Sequence, residues 1–173
     1  LAMPVTRSAN SAIDRVAPQH GEVAEMLAAY AETDLLCHRA DSPEALAQRQ
    51  AEGWDPLLDW AAETFEARLW PTAGILPVEQ PDASLRRLGE TVRELDAFRL
   101  AALHDLVTLS GSLVLGLAVA RRRVDAETGW TLSRIDETWQ IEQWGEDDEA
   151  SRQAALKRDA FLEAARIFRL VSG

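Results

Sequence analysis

Apolar residues recur along most of this chain at the three- and four-residue spacing of helices, and the pattern breaks at proline, glycine and short polar clusters. Thr6 can cap a helix over Arg7 to Val16 that ends before Pro18, and Gly21 separates it from a second over Glu22 to Ala31. Leu35-Leu36-Cys37-His38 is the first strand-like run. Ser42-Pro43-Glu44 combines a capping hydroxyl, a proline suited to the first helical position and an acid in the first turn. That helix is expected to reach about Glu52, with Gly53-Trp54-Asp55-Pro56 breaking it and Asp55 capping a new one through Phe65. Pro71, Gly74 and Pro77 exclude helix from 68 to 78, where Arg68 to Thr72 can pair with the earlier strand.

Beyond Pro81-Asp82 a helix runs to about Leu95, and the helical pattern from Phe98 to Ala120 is interrupted only at Ser110-Gly111-Ser112. Asp125 caps a helix predicted over Ala126 to Trp144, which Gly145 ends. The last helix, Glu146 to Val171, carries an apolar stripe of Ala154, Phe161, Ala165 and Phe168. The expected architecture is mainly α, about eight helices and two short strands in one compact domain, 1–173, around the apolar helix at 103–120.

Composition narrows what such a domain can do. With 47% hydrophobic residues the 173-residue chain can bury a sizeable core, and 27% charged residues argue against disorder. A net charge of -11 argues against nucleic acid or an anionic membrane as principal partner. Arg121-Arg122-Arg123, the only basic run, fits a helix C-terminus. Seventeen of the eighteen basic residues are Arg, a coding bias of a GC-rich bacterial genome and no functional signal. Cys37 is alone, so a disulfide framework and a cysteine metal site are excluded and a reducing compartment fits. Residues 106 to 120 form the longest uncharged stretch, too short and too interrupted by Thr108, Ser110 and Ser112 to span a bilayer.

Candidate chemistry is sparse. Ser110-Gly111-Ser112 lacks the strand–turn–helix setting of a nucleophile elbow, and small residues there suit close helix packing. There is no phosphate-cradling glycine loop, and His20, His38 and His104 do not stand at metal-ligand spacings. No catalytic residue, metal, cofactor or small-molecule substrate is therefore expected. The competing reading is a small helical enzyme using Asp136 and Glu142 with His104. Its two carboxylates stand about 120° apart on the helix and need a third element to converge.

Trp130 to Asp148 is the unusual segment. At 100° per residue, Leu132, Ile135 and Trp139 share one face, and Trp130, Ile141 and Trp144 share the opposite one. A surface helix needs one apolar stripe. Either both faces are buried in the domain, or one tryptophan-bearing face edged by acids and amides is a partner surface. The acids 146–149 suit a helix N-terminus and could equally steer a basic partner. For Trp54 and Trp60 core packing is the expectation, and Trp70 raises the same question of core against surface.

Several runs together resemble the ATP synthase assembly chaperones of mitochondria and alphaproteobacteria that bind the alpha subunit. They are MPVTRSANSAIDRV from Met3, AQRQAEGWDPLLDW from Ala47, GILPVEQP from Gly74, FRLAALHDLVTLSGSLVLGLA from Phe98 and DETWQIEQWGEDDEA from Asp136. HDLVTLSGSLVLGLA with WQIEQWGED is the specific combination. The resemblance implies a chaperone of the F-type ATPase catalytic head that works without catalysis in the bacterial cytoplasm or mitochondrial matrix. It also implies a small β-rich N-terminal domain, absent from this sequence, whose connection residues 1–33 would form. Joined to the helix geometry, it makes Trp130, Asp136, Glu137, Gln140, Ile141, Glu142, Gln143, Trp144, Glu146 and Asp147 the expected partner-binding residues. An adaptor of another large complex would share that surface.

Overall fold

The computed structural model describes residues 18–172. Among these residues eight α-helices carry nearly all of the regular structure: α1 (His20–Ala29), α2 (Glu44–Phe65), α3 (Asp82–Arg93), α4 (Ala97–Ser110), α5 (Leu113–Ala120), α6 (Ala126–Ser133), α7 (Ile135–Trp144) and α8 (Asp148–Ser172). Two-residue strands β1 (His38–Arg39) and β2 (Thr72–Ala73) pair in parallel, His38 opposite Thr72 and Arg39 opposite Ala73. The mainly α architecture with one small pairing matches the sequence expectation. The helix expected over Arg7 to Val16 lies outside the described residues.

α5 is the hub, with every residue from Leu113 to Val119 buried. α4 packs most extensively on α8, whose Phe161, Ala164, Ile167 and Phe168 are buried, and α1 packs on α3 through Ala24 and Leu27. Residues 20–33 are thus fastened into the core.

Three boundaries differ from expectation for identifiable reasons. The predicted break at Gly53-Trp54-Asp55-Pro56 does not occur, and α2 runs straight through it. Pro56 faces solvent, so the carbonyl that loses its amide partner is not stranded in the core. Asp55 caps nothing; it pairs with Arg39 at 2.7 Å. Gly53 answers to packing, since a Cβ there would stand 2.8 Å from Ile135 Cδ1. At the start of α2, Pro43 occupies the N-cap and makes no side-chain cap bond. The run Leu35–Cys37 is a 3-10 turn, and only His38 enters the strand.

The long helix from Phe98 ends at Gly111, whose φ of 83° is the left-handed conformation glycine adopts without cost. Ser112 then caps α5 through Leu115 N–H. Asp34 buttresses this junction from a distant segment. Its fully buried carboxylate accepts from Ser112 Oγ at 2.6 Å, Val114 N–H at 3.1 Å and Leu36 N–H at 3.0 Å. Burial raises the pKa of Asp34 while these hydrogen bonds oppose the rise.

Candidate functional site

The helix expected over Ala126 to Trp144 is two helices hinged at Arg134. No proline or glycine marks the hinge; two local hydrogen bonds accompany it. Ser133 Oγ turns back to Trp130 O at 2.6 Å, a bond that competes with the helical ladder. Trp54 Nε1–H, fully buried on α2, donates to Leu132 O at 2.8 Å and occupies a carbonyl a continuous helix would use.

The hinge separates the fates of the two faces. Trp130, before it, is buried against Phe161 with ring centroids 5.6 Å apart. Ile135 is buried, and Leu132 and Trp139 are half-buried against the core. Ile141 and Trp144, after it, stand 38% and 82% exposed. Neither "both faces buried" nor "one face free" describes the whole segment: the inner half is core, and the outer half buries Ile135, half-buries Trp139 and leaves Ile141 and Trp144 exposed.

α7 is held to α2 by polar contacts. Arg49 forms a two-pronged pair with Glu142, at 2.6 and 3.2 Å, and lies over the Trp139 ring at 4.9 Å. The Arg49 hydrogen bonds hold the Glu142 carboxyl below its ordinary range. Gln50 Nε2–H donates to Asp136 at 2.6 Å while its carbonyl oxygen takes Ala40 N–H.

Beyond Gly145 the chain turns into α8, where Asp147 accepts from Glu149 and Ala150 N–H. α7 and the first turns of α8 enclose a groove of about 590 Å³. Trp130 and Thr131 belong to its inner end, Thr138, Ile141 and Trp144 line one wall, and Ala150, Ala154 and Ala155 the other. Glu137, Gln140, Glu146 and Asp147 also line it, with Arg134 and Arg158.

Of the ten residues expected at a partner surface, Trp130, Glu137, Gln140, Ile141, Trp144, Glu146 and Asp147 converge on this groove. Asp136 and Glu142 instead face α2, and Gln143 is exposed outside the groove. Sequence reasoning missed the alanines of the α8 wall and the Arg49–Trp139 clamp. The run of small residues at 150, 154 and 155 was a readable signal; a contact across 93 positions was not.

His104 sits on α4 with Nδ1 3.0 Å from Asp105, and none of His104, Asp136 and Glu142 lines the groove between α7 and α8. Among the described residues no cluster of His, Cys, Asp and Glu is arranged to hold a metal. Cys37 is buried, and burial with the nearby Asp34 charge pushes its thiol up to about 12. Trp54 and Trp60 pack as expected, Trp60 edge-on to Phe65, whereas Trp70 is about half exposed. No helix of the described residues is long and apolar enough to cross a membrane.

Residues 1–62 match the family model of the ATP12 chaperone protein. The crystal structure of Atp12 from Paracoccus denitrificans is 57% identical, covers 98% of this chain and 72% of its own, and superposes with a TM-score of 0.95. A candidate chaperone from Agrobacterium tumefaciens is 40% identical with a TM-score of 0.89, over 96% of this chain and 62% of that one.

Proposed function

The chain belongs to the ATP12 chaperone family, and from that premise we propose that it assists assembly of the F-type ATP synthase head by binding the unassembled alpha subunit. An unassembled alpha subunit must keep the apolar surface destined for its beta neighbours out of water, and such surfaces aggregate when exposed. A chaperone needs a competing surface that also lets go. The observation that carries the reading is Trp144, 82% exposed beside Ile141 at the mouth of a preformed groove. A large indole left in water by a fold that buries Trp54 completely is a candidate binding hot spot.

In this reading Trp144, Ile141 and Gln140 touch the client, while Glu137, Glu146 and Asp147 line its path of approach and Gln143 meets it at the margin. Trp130 forms the inner end of the groove. Asp136 and Glu142 act by fixing α7 to α2. The polar part of the surface allows exchange, because its contacts can be replaced by water one at a time. The work is binding without catalysis, in the bacterial cytoplasm or the mitochondrial matrix.

The test is co-purification of the tagged chain with separately produced alpha and beta subunits, repeated with Trp144→Ala and Glu142→Ala. The reading expects retention of alpha and its reduction in both variants, with helicity by circular dichroism unchanged. If the unaltered chain retains neither alpha nor an assembly intermediate containing it, the reading fails.

A further inference from the structure

Resting on the groove's role as a client site, we infer that its occupant is a single amphipathic helix of about three turns carrying Arg or Lys beside its apolar stripe.

The walls fix the binding mode. Both are helices, whose backbone groups are consumed internally, and the only strands of the described residues, β1 and β2, do not line the groove. Strand addition is therefore excluded, leaving recognition by side chains, as when a helix lies in a groove between two others. α7 has ten residues and so is about 15 Å long, which matches about three turns of a partner. Ala150, Ala154 and Ala155 leave room for incoming side chains against Ile141 and Trp144.

Charge decides which helix. Of the two bases of the lining, one is neutralised by an acid and the other is not. Arg158 pairs with Glu127 at 2.7 Å, and Arg134 lies 5.7 Å from the centre of the Trp130 ring. Glu137 and Glu146 form no salt bridge among the described residues, and both are exposed. Asp147 adds a third acid, with Asp148 and Glu149 just beyond. An incoming cation finds three acids without a salt bridge among the described residues, and an incoming anion finds one such base, Arg134, so the lining favours the cation. The same field works against a second copy of a chain whose net charge is -11.

Fluorescence anisotropy with two dye-labelled synthetic 15-residue helices tests this. Both carry Leu at i, i+3, i+4 and i+7; one has Arg at its remaining charged positions and the other Glu. The Arg helix is expected to bind the unaltered chain at least about tenfold more tightly than the Glu helix, and more weakly as salt rises. Trp144→Ala should weaken the Arg helix about tenfold or more. Glu137→Lys with Glu146→Lys should abolish the preference for Arg, while Ile75→Ser, a fully exposed position outside the groove, should change nothing. Equal binding of the two helices, binding of neither, or indifference to Trp144→Ala would overturn the inference. Alpha-subunit retention without helix discrimination sinks this inference alone; discrimination without alpha retention sinks only the proposed client.

Discussion

Replacing Asp34 by Ala removes the side chain whose hydrogen bonds tie residues 34–36 to the α4–α5 junction. Two backbone amides, Leu36 N–H and Val114 N–H, lose the carboxylate as acceptor, and both residues are fully buried. Leaving a buried donor unpaired costs about 1–3 kcal/mol, so the two together cost about 2–6 kcal/mol. Against this stands relief from burying a charge, which the upward shift of the Asp34 pKa shows to be real. The net expected loss is about 3 kcal/mol, a large share of the roughly 5–15 kcal/mol of a typical domain. Asp34→Asn should cost less, because its amide oxygen can still take Leu36 N–H and Ser112 O–H while its NH₂ group confronts Val114 N–H.

Urea unfolding followed by circular dichroism reads both losses as a lower midpoint at unchanged slope. The pH dependence gives a second signature. The folded-state pKa of Asp34 lies above its ordinary 3.8, so between those values the folded state holds the extra proton and stability falls as pH rises through the window. The variants lack this group, so the gap between them and the unaltered chain should widen on acidification from neutral pH toward 4. A loss below about 1 kcal/mol for Asp34→Ala, or a gap that narrows on acidification, would refute this reasoning.

Other perturbations probe the elements that shape the groove. Gly129→Ala places a Cβ 2.5 Å from Val119 Cγ2, a stiff β-branched side chain, and should lower stability by about 1–2 kcal/mol despite better helix propensity, read by thermal unfolding. Arg49→Ala removes both the Glu142 pair and the cover over Trp139; hydrogen exchange should quicken across 135–144 and leave Leu113–Val119 protected. Because Arg49 holds the Glu142 carboxyl below its ordinary 4.5, that contact is present above pH 4.5 and lost as pH falls through the lowered value. The protection factor of α7, which allows for the slower intrinsic exchange in acid, should therefore also fall on acidification. Trp144→Phe should remove the most iodide-quenchable part of the tryptophan emission, since no other tryptophan is as exposed.

Much of the fold was legible because it follows from local chemistry. Asp125 caps α6, Gly145 ends α7, and the apolar run at 113–119 is the buried hub, as the pattern of residues implied. Errors arose where a distant group overrode a local signal. Gly53 and Pro56 read as a break, but a contact with Ile135 explains the first and solvent exposure tolerates the second. The hinge at Arg134 was invisible because half of its support is Trp54, 78 residues away from the carbonyl it takes. That Trp130, Ile141 and Trp144 share a face was legible from helical geometry, whereas the groove they line with α8 was not. The diversion of Asp136 and Glu142 to α2 was not, since nothing local reveals that Arg49 and Gln50 lie opposite them.

The client role of the groove between α7 and α8 stands or falls on its contact with an unassembled alpha subunit. The most direct measurement is photo-cross-linking in cells from a photoreactive phenylalanine analogue at position 144, with the same analogue at position 122, in the turn after α5, as the comparison. The client role of the groove predicts an adduct with the alpha subunit from position 144 and little or none from 122. An adduct from 122 alone, or no adduct with alpha from either position, would contradict it.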